Sequence, residues 1–436
     1  MNIMYKNSEK GQAIVYLVIG LVVFLGFVAL AIDGGMALAD RRHEQNAADA
    51  ASLAGGGRAA FDMEENHIIA KNWSCGSLTW VKNNAEVAAS DRADANGFPI
   101  TYELNSDDVG SDYNYAVAKC YNLGNMDKDK YIEVTVEISA TTPSNFLQLV
   151  FPTALHNEVE AVTHTYPRHS YALGNAIVAL NSESCSEPAS QGVVLGGSSD
   201  IDVDGGGIFS NNCLRDNGGP KIVIIDGGGW GKDLEHITYA NWEPDPDYTT
   251  DTIDPSEFDD LVPAWNPSTG LCTDPKANNK PASDLKMSWT KKETVTLSPG
   301  LWCIQGDLTI NAGDKFYGAG VTIFMVNGKF DVAGKADIQL AAPGETPDPS
   351  PAIAHVLITL PPSNTDIVQL NGNETAYFEG MVLAPKSTIT LNGTGYNTYQ
   401  GQMIGWNVKI TGTAGTNVTF DPNKGPTKPT KMELYR

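Results

Sequence analysis

Twenty consecutive uncharged residues, Ala13 to Ile32 (AIVYLVIGLVVFLGFVALAI), constrain this chain more than any other feature. At about 1.5 Å per residue, a helix of that length spans a hydrocarbon core of ~30 Å. The apolar core of a cleaved export signal is shorter, about 7 to 15 residues. Here the run is longer and leads straight into helix-compatible sequence, so it reads as a retained single-span anchor. Lys6 and Lys10 on one side are matched by Arg41 and Arg42 on the other, which leaves orientation nearly tied by basic flanks. The cysteines break the tie. Cys75, Cys120, Cys185, Cys213, Cys272 and Cys303 all follow the run, and an even set on one side suits an oxidising exterior. The expected topology places the N-terminus in the cytoplasm and the body outside the membrane.

Charge divides at the same place. The 436 residues carry 29 Lys plus Arg against 52 Asp plus Glu, a formal -23. Residues 1–58 hold five of each sign, leaving 24 against 47 in the rest. A body this acidic repels nucleic-acid phosphates, so nucleic acid is excluded as a partner. Forty-three glycines and a charged fraction of 19%, below the usual ~25%, describe a turn-rich β protein rather than a helical bundle. The length leaves room for two or three domains. Six cysteines allow 15 pairings; pairing in domain order gives Cys75 with Cys120, Cys185 with Cys213, and Cys272 with Cys303. The absence of Cys-x-x-Cys or a close Cys/His set argues against zinc.

Beyond Asp33-Gly34-Gly35 the sequence is again helix-forming, and the Ala-dense run Ala47, Ala48, Ala50, Ala51, Ala54 either favours helix or lets a partner helix approach closely. The order Lys10-Gly11-Gln12-Ala13, the apolar 20-mer, Asp33-Gly34-Gly35, Arg41-Arg42 and Gln45-Asn46-Ala47-Ala48-Asp49-Ala50-Ala51-Ser52-Leu53-Ala54-Gly55 resembles the N-terminus of TadG-like proteins of tight-adherence (Flp) pilus loci. The resemblance covers about the first 58 residues. It implies an exported single-span envelope protein associated with pilus assembly, meeting the membrane and pilus or pseudopilin components through its N-terminal helix. In pilins processed by prepilin peptidase a Glu lies five residues beyond the cleaved glycine; counted from Gly11, this chain has Tyr16 there, which argues against cleavage and against a major-subunit role. The Asp-x-Ser-x-Ser adhesion loop of other members is missing.

Residues 59–172 read as a small α+β, pilin-like domain. Ala85 to Asn96 is helix-like and stops at Asn96-Gly97, while Tyr131 to Ile138 alternates like a half-buried strand. Pro143 to Thr165 resembles the strand and hydrophobic turn that close the exported part of TadE and TadG proteins.

Residues 173–420 change texture. Short apolar runs (Val193 to Leu195, Ile201 to Val203, Ile222 to Ile225, Leu308 to Ile310, Val321 to Val326, Ala354 to Leu360, Ile389 to Leu391, Val408 to Ile410, Val418 to Phe420) alternate with Gly, Asn and Asp turns, the pattern of an all-β sandwich, barrel or solenoid. An apolar residue followed by Asn and then Gly or Ala recurs at Asn311, Asn327, Asn371 and Asn392, which suits the corners of a parallel β-solenoid. Leu297 to Trp302, Phe378 to Pro385, Ser387 to Leu391 and Gln400 to Gly405 are similar to the β-helix of ice-binding-like and bactofilin-like surface domains. The Thr rows of ice binders are represented only by Thr388, Thr390, Thr411 and Thr413. Residues 421–436 are expected as a flexible tail.

Asp200, Asp202 and Asp204, followed by Gly205, open like a calcium loop. The twelfth position, where a bidentate Glu is needed, is Asn211. An alternating strand with Ile201 and Val203 inward accounts for the same residues, so calcium at Asp200, Asp202 and Asp204 is the weaker of two readings. Glu243 to Asp260 places eight carboxylates in 18 residues, a surface excursion ending in a short helix capped by Asp254. No HExxH, GxSxG or P-loop occurs, and no residue is singled out as catalytic. The expectation is a non-enzymatic envelope protein acting in Flp pilus assembly or surface adhesion, with a surface glycan or protein as receptor. A tethered β-helix enzyme acting on glycans, or a glycan-binding module, is the alternative.

Overall fold

A computed structural model describes residues 12–100, 113–123, 129–144, 146, 155–183, 185, 192–198, 200–285, 294–371, 376–393, 397–412 and 415–435. The chain forms two compact units. One comprises Met1–Arg168 with Pro429–Arg436, the other His169–Lys428.

The first unit begins with α1, Gln12–Glu65, 54 residues unbroken through Gly34-Gly35. It therefore runs past the expected boundary at residue 58. Along Ile14 to Ile32 its large apolar side chains are exposed to solvent. The coverage changes at Asp33, which is buried and accepts the Phe146 N–H at 3.0 Å. From there one side of α1 packs on α2 (Thr79–Ala95) and on an antiparallel sheet of β1 (Tyr115–Asn122), β2 (Lys130–Thr142) and β3 (Leu155–Tyr166). Ile132, Val134, Val136 and Ile138 are fully buried, as period-two alternation requires of a strand with one face on a core. Ala47, Ala48 and Ala51 share that core, so these small residues serve packing within the head. Gly55 shows why: a Cβ there would lie 2.7 Å from Val134 Cγ1 and 2.9 Å from the Ala85 carbonyl. α2 buries Val81, Ala85, Ala89 and Ala93 at helical spacing. It stops as expected at Asn96-Gly97, where Gly97 has φ +89° and the Phe98 N–H bonds Ala93 O at 3.0 Å, a left-handed C-terminal cap. The hydrophobic turn expected between Pro143 and β3 lies largely outside the described residues.

The expected flexible tail is ordered. Lys431–Tyr435 pairs antiparallel with β3, and Thr427–Lys428 pairs with His169–Ser170. Without the Lys431–Tyr435 strand the edge of β3 would offer unpaired backbone groups. Tyr435 adds a ring stacked on His164 at 4.7 Å between centroids. The second unit is consequently an insertion between β3 and the last strand, with its sequence boundaries at 168/169 and 428/429 rather than at 172 and 420.

That second unit is the parallel β-solenoid. Its coils stack into a 14-stranded and a nine-stranded sheet. The pairings described in these two sheets are parallel, from Thr294↔Lys315 to Ile201↔Ile222, with register shifts at Gly231/Asp233, Val356/Ile358 and Ala384/Thr388 in the larger sheet. The spatial order departs from chain order. The chain starts in the middle of the stack at Ile177–Ala179, winds to one end at Trp242–Tyr248, and restarts at the opposite end with Asn278–Pro281 and Thr294–Leu297. It then winds back until Thr416–Thr419 lands on Ile201–Asp204. Residues 249–285 cross the length of the stack to make this possible. The strap lays Ile253, Phe258 and Leu261 on Val178, Phe209, Val356, Met381, Leu383 and Ile404. Asn211 clamps it by accepting the Ile253 N–H at 2.8 Å and donating to its carbonyl at 2.7 Å. Asp254 caps the 3₁₀ helix Pro255–Leu261 through the Ser256 N–H, where the sequence calls for a short helix.

All three disulfides join cysteines in domain order, Cys75–Cys120, Cys185–Cys213 and Cys272–Cys303. They close separations of 45, 28 and 31 residues. Cys272–Cys303 ties the strap to a coil.

Candidate functional site

The nine-stranded sheet presents a long solenoid face of outward side chains stacked in register. In each coil the inward residues, among them Phe316, Ile338, Leu340, Phe378, Tyr399, Val418 and Val203, join the interior core. The residues between them must therefore point out. Registers Tyr317↔Gln339, Gln339↔Tyr377, Tyr377↔Thr398, Thr398↔Asn417 and Asn417↔Asp202 make one row across six coils. A neighbouring row runs Ala341, Glu379, Gln400, Thr419 and Asp204.

Two tyrosines organise this face. The Tyr317 hydroxyl donates to Asp337 Oδ2 at 2.7 Å, and the Tyr377 hydroxyl donates to Glu379 Oε2 at 2.7 Å with Gln400 Oε1 at 3.2 Å. Both residues are half-buried. The phenol of Tyr377 is pushed up to about 12, by burial first and then by the Glu379 carboxylate. For Tyr317 the shift is upward and comes first from the hydrogen bond to Asp337. Sequence reading missed these residues. The available signal was small: KFYGA and YFEG each place a Tyr beside an inward Phe, but on opposite sides of it, and only coil register puts Tyr317 and Tyr377 in one row.

Asp200, Asp202 and Asp204 fall on the same sheet. Ile201 and Val203 are buried, Asp202 is half-buried, and Asp200 and Asp204 are exposed. Extended backbone spaces successive carboxylates on one face by about 7 Å, and the neighbours of Asp202 on adjacent coils are Val223 and Asn417. Asn211 is not brought to them, since it holds the strap on another face of the coil. A separate group, Cys185, Asp233 and Glu235, brings ligand atoms within 4.8 Å. The Cys185 sulfur is bonded to Cys213, however, and Glu235 lies 2.9 Å from Arg215, which leaves no thiolate to offer a metal.

The expected Asn corners are real but belong to two positions. Asn371 and Asn392 continue one corner, at which Asn392 meets Thr411 of the next coil. Asn327 lies at another, accepting the Gly306 N–H of the preceding coil at 2.7 Å. The outward row beside the first corner runs Thr309, Asp331, Gln369, Thr390, Lys409, so the Thr fragments do not join into a ladder there.

In the head, His164 sits 3.0 Å from Glu133 between the rings of Tyr131 and Tyr435. The C-terminal strand runs alongside it, and the pair serves that edge of the sheet.

Residues 11–59 match the sequence model of the putative Flp pilus-assembly TadE/G-like family. No curated protein matches the chain. Among solved structures, it is similar to the crystal structure of the competence-associated pilin ComZ from Thermus thermophilus, at 10% identity and a TM-score of 0.28, over 77% of this chain and 86% of that one. The bare apolar stretch of α1 and Asp33, where its coverage begins, thus lie within the residues similar to the TadE/G-like Flp pilus-assembly model.

Proposed function

We propose that this protein is a non-enzymatic, membrane-anchored component of a tight-adherence pilus system, with its N-terminus in the cytoplasm and both compact units outside. The observation that carries the reading is the abrupt change along α1. Ile14 to Ile32 is apolar and bare, and coverage by the first unit starts at Asp33, within the family-matched residues. A helix that is apolar on every side, and that the described residues of its own chain leave uncovered, requires lipid or other apolar helices. In this role the anchor meets the bilayer and pilus or pseudopilin helices, while the solenoid is displayed outward for attachment. Three disulfides and an acidic exterior fit that compartment and give nucleic acid no purchase.

Membrane fractionation with protease protection tests it. The full chain is expected in the membrane fraction, with the solenoid digested only from the outer side and the cysteines oxidised. Leu21→Asp with Leu25→Asp should release it to the soluble fraction. Recovery of the wild type in the cytosol, or a solenoid protected from external protease, would sink the proposal.

A further inference from the structure

We infer that the nine-stranded face of the solenoid is a binding platform for a neutral, extended polysaccharide, centred on Tyr317, Gln339 and Tyr377. The inference rests on the outward display proposed above for its biological meaning, while its physical basis is independent of it. Tyr317 and Tyr377 occupy the same outward row with Gln339 between them. Strand spacing places them about 9.5 Å apart, close to the length of two sugar residues. Each residue is half-buried, and its hydroxyl is tied down by a carboxylate of the face itself. A ring pinned in this way loses little rotamer freedom on binding, which lowers the cost of using it as a stacking surface.

The polar groups fit the same ligand. Asp337 and Glu379 each accept one phenol and keep further lone pairs, and the amides of Gln339 and Gln400 stand on the coils either side of the one that carries Glu379. Sugar hydroxyls donate to such acceptors while their C–H faces rest on the rings. Charge selects among polymers. The strands of this face carry Asp202, Asp204, Glu243, Asp337 and Glu379 against Lys315, with Lys424 reaching Glu379 at 3.9 Å from a neighbouring loop. An anionic polymer is repelled by that set. The strapped face, by contrast, is already covered by residues of its own chain.

The test uses the full-length protein in lipid nanodiscs, retained on insoluble cellulose and chitin and titrated with their soluble oligomers. Retention of the wild type on at least one of these is expected. Tyr317→Ala and Tyr377→Ala should each weaken it about tenfold or more, the scale of removing an aromatic anchor, and the pair should abolish it. Tyr317→Phe and Tyr377→Phe, which keep the rings, should stay within a few-fold of wild type. Tyr248→Ala, an exposed tyrosine at the end of the stack, should bind as wild type, and unchanged thermal unfolding of each variant confirms the fold. No retention on either neutral polymer overturns the inference, as does retention that survives the double Ala variant. Ring-dependent binding of polylysine in place of the glycans also overturns it, assigning the face to cations. Because the assay uses purified protein, its outcome is separate from that of the fractionation.

Discussion

The strapped and the open faces of the solenoid come from the same coils and differ in what their outward residues can do. On the strapped face Val178, Phe209, Val356, Met381, Leu383 and Ile404 point away from the interior core and are buried by the crossing chain. Strands there are apolar on both sides, as in Val356–Thr359, buried at all four positions, the pattern of parallel strands covered twice. On the open face the equivalent positions are Tyr317, Gln339, Tyr377, Thr398, Asn417 and Asp202. Coil geometry decides which residues turn in. The chemistry of those that turn out decides whether the chain must cover them, and the start of the solenoid in mid-stack supplies the lengthwise segment that does so.

If the strap is part of the core, breaking its contacts should cost what core substitutions cost. Phe258→Ala removes a side chain with 1% exposure and should destabilise the solenoid by about 3–5 kcal/mol, read as a shift of its denaturant midpoint. Cys272→Ser with Cys303→Ser opens a 31-residue separation. It should cost about 3.5 kcal/mol on the chain-entropy account and expose residues 262–285 to limited proteolysis. Asn211→Ala leaves the Ile253 N–H without its acceptor, at about 1–3 kcal/mol. On the open face Thr398→Val should change stability by no more than about 0.5 kcal/mol. A Phe258→Ala protein as stable as wild type would erase the distinction between the faces.

How much of this was legible in the sequence follows the same division. Ile201 to Val203, Ile222 to Ile225 and Val408 to Ile410 announce themselves because inward positions need apolar, mostly β-branched side chains. The pairing of Ile177 with Met403 and of Val203 with Val418 does not, because any coil of similar length offers the same apolar pattern and nothing local says that the last coil lands on the first. The direction of the strap depends on that choice, so Glu243 to Asp260 could be read as a surface excursion but not as a cover. Lys431–Tyr435 escaped notice because an edge strand of alternating charged residues lacks the composition of a buried one. The Tyr317 and Tyr377 row was hidden for a related reason: its members are 60 residues apart in sequence and become neighbours only through two registers. The apolar run of Ile14 to Ile32 and the cap at Gly97 are local, and both were readable.

The smallest expected effect probes the open face most directly. Tyr377 is held neutral by burial and by Glu379, so its phenol titrates near 12 instead of the ordinary ~10. A group whose folded-state pKa is raised contributes stability that is intact below its unfolded value and is lost as pH climbs through the folded one. The contribution of Tyr377 should therefore be unchanged at neutral pH and fade between about 10 and about 12. The difference in alkaline ultraviolet absorbance between wild type and Tyr377→Phe isolates this single phenol. Glu379→Gln should lower its titration only part of the way, because burial is the larger cause and survives the change. A phenol titrating at its ordinary value in the wild type would mean that the ring stands free of Glu379, and with it would go the fixed stacking surface that sets the open face apart from the strapped one.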